Sequence, residues 1–169
     1  MRRLVLTLVV LMAAGVLSLA AETRGAPPVP GEAGLQRLRS MAGDWYEIGP
    51  DGQPTDELVS RVSVTSGGNA VHELHFPGQP HEMLTVYYLE EGELTLVHYC
   101  VLANRPKMRA SEITDDALAF TCAGLEDESQ SHMHAARIVS VAPGHNHVEW
   151  VNWDGGRRDH AIAFDLVRK

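Results

Sequence analysis

Between Pro80 and Met108 the chain reads PHEMLTVYYLEEGELTLVHYCVLANRPKM, two runs rich in Leu, Val, Thr and Tyr broken by Glu90-Glu91-Gly92. Glycine supplies the positive φ of a tight loop, so this stretch predicts a β-hairpin. Side chains alternate faces along a strand, which puts Leu94, Leu96, His98, Cys100 and Leu102 on one side and Thr95, Val97, Tyr99 and Val101 on the other. The first face carries an imidazole and a thiol on an apolar background. The same alternation recurs at 44–48, 57–66, 69–76, 82–90, 93–102, 107–113, 117–123, 131–141, 146–153 and 159–168. The gaps hold turn residues such as Gly49-Pro50-Asp51-Gly52, Ser66-Gly67-Gly68-Asn69, Pro77-Gly78-Gln79-Pro80 and Asp154-Gly155-Gly156. Ten short strands with an apolar face on most predict an all-β fold, a single antiparallel barrel closed so that no edge is exposed. Leu35, Leu38 and Met41, at spacing three, predict a short preceding helix that ends near Gly43.

The N-terminus has a different character. Arg2 and Arg3 precede an apolar run from Leu4 to Leu19, and Ser18-Leu19-Ala20 has small residues where a signal peptidase reads. Residues 1–20 are therefore expected to be a cleaved signal peptide, and the product to be exported, periplasmic or secreted. The run is short for a membrane span, and no cysteine near the cleavage point would accept a lipid. Residues 21–34 contain ETRGAPPVPGEAG, too poor in apolar side chains to pack, and predict a flexible linker. Residues 35–169 then form the barrel domain.

The whole chain of 169 residues has a net charge of −8; without residues 1–20 it has 22 acidic against 12 basic side chains, a net −10. So acidic a surface argues against nucleic acid or an anionic membrane as partner. Nine histidines make that charge sensitive to pH near 6. Two cysteines, Cys100 and Cys122, allow one disulfide in an oxidising compartment or leave two free thiols.

A short helix leading into Gly43-Asp44-Trp45, then antiparallel strands, then a last strand ending in Arg168-Lys169, resembles the calycin pattern of lipocalins. That resemblance implies that Trp45 closes one barrel end and that a basic residue of the last strand stacks on it. A histidine near the start of the last strand, His160, is similar to the arrangement in nitrobindin-type barrels, and on that analogy it would be a haem ligand. FPGQPHEM, LTLVHYC, NRPKM and SHMH more closely resemble a group of uncharacterised bacterial exported proteins with a calycin-like barrel, over residues 35–169. The group brings no established activity with it.

The candidate chemistry centres on His98, Cys100, His132 and His134. His132 and His134 are two apart in a strand, with Ala136 and Ile138 continuing their face, so both pairs are expected to point into the barrel. Two readings stay open. Converging imidazole and thiol donors suit zinc, copper or a haem iron, with Met83, Met108 and Met133 as soft ligands favouring copper. Alternatively the histidines are hydrogen-bonded lining residues and Cys100 is a small buried hydrophobe. A Cys100–Cys122 disulfide would remove Cys100 from any metal site. His81 is expected at the cavity mouth, and Asn104-Arg105-Pro106-Lys107-Met108 is either a loop folding over that mouth or a plain connector.

His72-Glu73-Leu74-His75 lacks zincin spacing, and its two histidines point to opposite faces of a strand. His132-Met133-His134 is similar to a cupin His-x-His, but Arg137 and Ile138 stand where the later Glu ligand belongs. Glu126, Asp127 and Glu128 form an acidic loop without calcium-site spacing. The expected protein is an exported barrel, a monomer or weak dimer, that binds a small molecule. Leu94, Leu96, Ile138, Ile162 and Phe164 would be the walls, and His98, Cys100, His132 and His134 the polar floor. The ligand-contact set adds His81, Asn104 and Met108. An enzyme using Cys100 as nucleophile and a filled scaffold without a ligand are the rivals.

Overall fold

The computed structural model describes residues 30–125 and 127–169. The expected signal peptide and residues 21–29 of the expected linker lie outside these, as does Glu126. A helix, α1 (Pro30–Ser40), leads into ten strands: β1 (Gly43–Ile48), β2 (Pro54–Thr65), β3 (Ala70–His75), β4 (Met83–Glu90), β5 (Glu93–Tyr99), β6 (Lys107–Ile113), β7 (Ala117–Gly124), β8 (His132–Ala142), β9 (His145–Asp154) and β10 (Arg157–Arg168). Each strand pairs antiparallel with the next, and β10 pairs with β1, which closes the barrel. Among the described residues no helix is long and apolar enough to cross a membrane.

The hairpin of β4 and β5 turns at Glu91 and Gly92, both at positive φ, with Glu90 opposite Glu93. Two consecutive left-handed residues match the twist of the flanking strands. At its other end β5 stops at Tyr99 and does not run on to Leu102. A tight turn forms instead, with Ala103 at φ 61° and its N–H donating to the Cys100 carbonyl.

The helix begins at Pro30, so the last five residues of the expected linker are helical. Proline suits a first helical turn, where its missing N–H has no partner to lose. Leu35, Leu38 and Met41 are buried as their spacing predicts, and α1 packs on β3 to β6 at one barrel end. The glycines of this segment serve close approach. A Cβ at Gly31 would collide with the Gly92 carbonyl oxygen, and one at Gly34 would lie 2.7 Å from Leu94 Cδ2.

Trp45 is buried beside the helix and donates from Nε1 to the Met41 carbonyl at 2.8 Å. The Arg168 guanidinium lies 5.6 Å from its ring centre and donates to the carbonyls of Ser40 and Ala42. The cation–π closure expected from Gly43-Asp44-Trp45 is therefore present. Above this end Tyr87, Leu94, Leu96, Met108, Leu118, Phe120 and Ile138 fill the barrel solidly. The other half of the interior is open.

Candidate functional site: a histidine-floored cavity

The open half is a cavity of about 400 Å³ at the end opposite α1. Its walls are apolar, with Val59, Val148, Trp150, Ile162, Phe164 and Leu166 among them. Val101, Leu102 and Ile162 line it while remaining well exposed, so the mouth is rimmed with apolar side chains.

The polar floor follows from strand register. Val62, Glu73, Thr85 and His98 stand opposite one another across β2, β3, β4 and β5, and Ser60, His75 and Met83 form the next row towards the mouth. Residues opposite one another share a face, so these rows put a carboxylate, two imidazoles and two hydroxyls together inside. Ser60 Oγ donates to Glu73 Oε1 at 2.5 Å, and the Tyr87 hydroxyl donates to Oε2 at 2.7 Å. Thr85 Oγ1 lies 2.8 Å from His75 Nε2 and 2.9 Å from His98 Nδ1. His75 Nδ1 lies 3.8 Å from Glu73 Oε1. Trp150 covers both imidazoles, with ring centres 5.3 Å from His75 and 4.8 Å from His98.

Proton counting orients this chain. The Thr85 hydroxyl has one proton, so it donates to one imidazole and accepts from the other. The Glu73 carboxylate favours a proton on the facing Nδ1 of His75, which leaves His75 Nε2 as acceptor for Thr85. Thr85 then accepts from His98 Nδ1–H, and His98 Nε2 is left with a lone pair. That nitrogen is buried and has no hydrogen-bond partner among the described residues.

Burial, reinforced by neighbouring His75, pushes His98 down to about 3. Burial also lowers His75, against the opposing pull of Glu73. Tyr87 is raised well above its ordinary value by burial and by the Glu73 charge, so it stays a donor. His98 is thus a neutral acceptor across the physiological range and a weak base. Cys100 lines the cavity with its Sγ 3.9 Å from Met83 Sδ, and burial raises its thiol. A raised thiol is a poor nucleophile.

The expected convergence of four donors does not form. His98 and Cys100 line the cavity, but His132 and His134 do not. The cause is an irregularity in β8: Met133 pairs with Asn152 and Ala135 with Val151, so His134 is an extra residue. Such a bulge resets the alternation, and Ser131 and Met133 take the cavity-facing positions. His132 and His134 instead gather with Cys122. Both cysteines are free, and Cys122 is not part of the cavity lining.

The remaining expected residues are dispersed. His81 lines the mouth and packs on Phe76 at 4.6 Å between ring centres. His160 is at the rim, exposed, with Nδ1 2.6 Å from Asp159 Oδ2. Asn104, itself outside the cavity lining, ties its loop to the residue before β8 by donating to the Ser131 carbonyl at 2.7 Å. Met108 is fully buried in the packed core, and so are Leu94, Leu96 and Ile138, three of the expected walls. Ile162 and Phe164 are walls as expected.

Ser60, Glu73, His75, Thr85 and Trp150 were not expected at the site. Alternation in β3 carries the signal for two of them. Val71, Glu73 and His75 share a face, and an apolar Val71 marks it as the inner one. No family model matches the sequence, and comparison with curated proteins finds no match. The closed ten-stranded antiparallel barrel is compatible with a calycin-like fold.

Proposed function

We propose that this is an exported, calycin-like barrel that binds one small, largely apolar molecule and receives a hydrogen-bond donor of that molecule at Nε2 of His98. The observation that carries the reading is that buried, partnerless nitrogen on the floor of an apolar cavity, whose lining also includes Asn152 with its Oδ1 buried and without a partner among the described residues. A volume of about 400 Å³ is in the range of small-molecule sites. A buried acceptor without a partner costs about 1–3 kcal/mol, and a ligand N–H or O–H removes that cost. The apolar leader at residues 4–19 supports export.

Two dyes test the reading: N-phenyl-1-naphthylamine, which has one N–H, and 1-benzylnaphthalene, which has a methylene in its place. Titration followed by energy transfer from tryptophan should give one equivalent of each, with the amine bound more tightly. His98→Phe keeps an aromatic ring but removes the acceptor. It should weaken the amine about tenfold, corresponding to one net hydrogen bond, and leave the methylene analogue within about twofold. If His98→Phe affects both dyes equally, or neither dye binds the parent protein, the reading fails.

A further inference from the structure

The group of Cys122, His132 and His134 belongs to none of the cavity chemistry. Their ligating atoms lie within 4.8 Å of one another. The place is set by strand pairing. β7 and β8 are paired from Ala117↔Val139 to Thr121↔Ala135, and beyond that register no pair joins them among the described residues. The three side chains stand where the backbone ladder between these strands has ended.

The local contacts prepare both imidazoles as ligands. His132 is fully buried, and its Nδ1 lies 2.7 Å from the Gln130 carbonyl. A carbonyl only accepts, so Nδ1 carries the proton and Nε2 presents a lone pair. Metal-bound histidines are held in this way, with the second nitrogen donating to a carbonyl or carboxylate. His134 is stacked on Trp153, with ring centres 3.6 Å apart and planes 8° from parallel, which fixes its orientation. Its Nδ1 lies 3.1 Å from His132 Nε2. Two nitrogens bound to one tetrahedral zinc are about 3.3 Å apart, from Zn–N bonds of about 2.0–2.1 Å.

We propose that Cys122 Sγ, His132 Nε2 and His134 Nδ1 bind one Zn²⁺ ion, which clasps the ends of β7 and β8 where their hydrogen-bonded ladder stops. One thiolate and two imidazoles suit a borderline metal. Of the methionines that the sequence offered, Met133 lines the cavity, Met83 is beside Cys100, and Met108, opposite Cys122 on β6, is fully buried in the core. On binding, the Cys122 thiol releases its proton to solvent. His134 remains neutral, its proton moving from Nδ1 to Nε2.

The test uses the full chain, reduced and without a histidine tag. Dialysis against ZnCl₂ followed by elemental analysis should find one zinc per chain. Substitution by Co²⁺ should give a thiolate-to-cobalt charge-transfer band with the visible absorption of a tetrahedral site. Cys122→Ser and His134→Ala should each abolish the band or weaken zinc by more than about 100-fold, with the barrel's circular dichroism retained. Cys100→Ser and His147→Ala should leave both readouts unchanged. Absence of stoichiometric zinc in the reduced parent, zinc retained in Cys122→Ser or His134→Ala, or a band lost with Cys100→Ser would overturn the proposal. Dye binding in the cavity is read separately, so either proposal can fail alone.

Discussion

Replacing Thr85 by Val removes one oxygen and puts a methyl group in nearly the same volume. That oxygen joins His75 Nε2 and His98 Nδ1 through bonds of 2.8 and 2.9 Å. Thr85 is 0% exposed, His75 6% and His98 2%, so little solvent reaches the three groups. Each imidazole nitrogen left unpartnered costs about 1–3 kcal/mol, while the added methyl returns less than about 1 kcal/mol. The expected net loss is about 3 kcal/mol, a large share of the roughly 5–15 kcal/mol that holds a domain folded. Thr85→Ser is the paired control: it keeps the hydroxyl and loses the methyl, at about 1 kcal/mol. Urea unfolding followed by tryptophan fluorescence measures both, with an unchanged slope showing that the same surface is exposed. If the Val variant is no less stable than the Ser variant, the hydroxyl does not bridge the histidines and the proton count at His98 is void.

Two further outcomes follow from the same contacts. His98 is held near 3 in the fold, so below about 6.5 the unfolded chain takes up a proton that the folded one refuses. Its contribution is complete above pH 6.5 and declines as the pH falls towards 3, by about 2 kcal/mol at pH 5. Urea midpoints should fall accordingly, and less steeply in His98→Phe; equal slopes would contradict the assignment. Gly31→Ala forces a Cβ against the backbone oxygen of Gly92, whereas Gly34→Ala meets the movable end of Leu94. Thermal unfolding should rank Gly31→Ala the more damaging, at about 2–3 kcal/mol, and the reverse order would refute the close-packed helix.

Much of the barrel was legible because its strands report their own faces. In the β4–β5 hairpin, turn residues and alternation agree with the observed register, and all ten expected strands are present within a few residues of their expected ends. The helix start was less legible, because Gly31 and Gly34 read as spacer until the β4–β5 turn is seen against them. Half of the candidate site was legible as well. His98 and Cys100 were read on the inner face, and they line the cavity. His132 and His134 misled because a period of two assumes an unbroken strand. One extra residue at His134 reverses the parity of everything before it. Cys122 was recoverable in principle, since neighbouring strands of a meander are neighbours in space. Cys100 follows the end of β5, whereas Cys122 is on β7, directly beside β8.

What this sequence determined by itself is therefore the list of strands, the turns between them, and which residues of each regular strand face inward. Those properties are local: φ preferences at Gly and Pro, and alternation over five to ten residues. Only the tertiary structure decided which inward residues meet. Glu73, Thr85 and His98 are a single row because three strands align in one register. His132, His134 and Cys122 gather because two strands part and one of them bulges. Register and closure are properties of strand pairs and of the whole sheet, and no single strand carries them in its own residues.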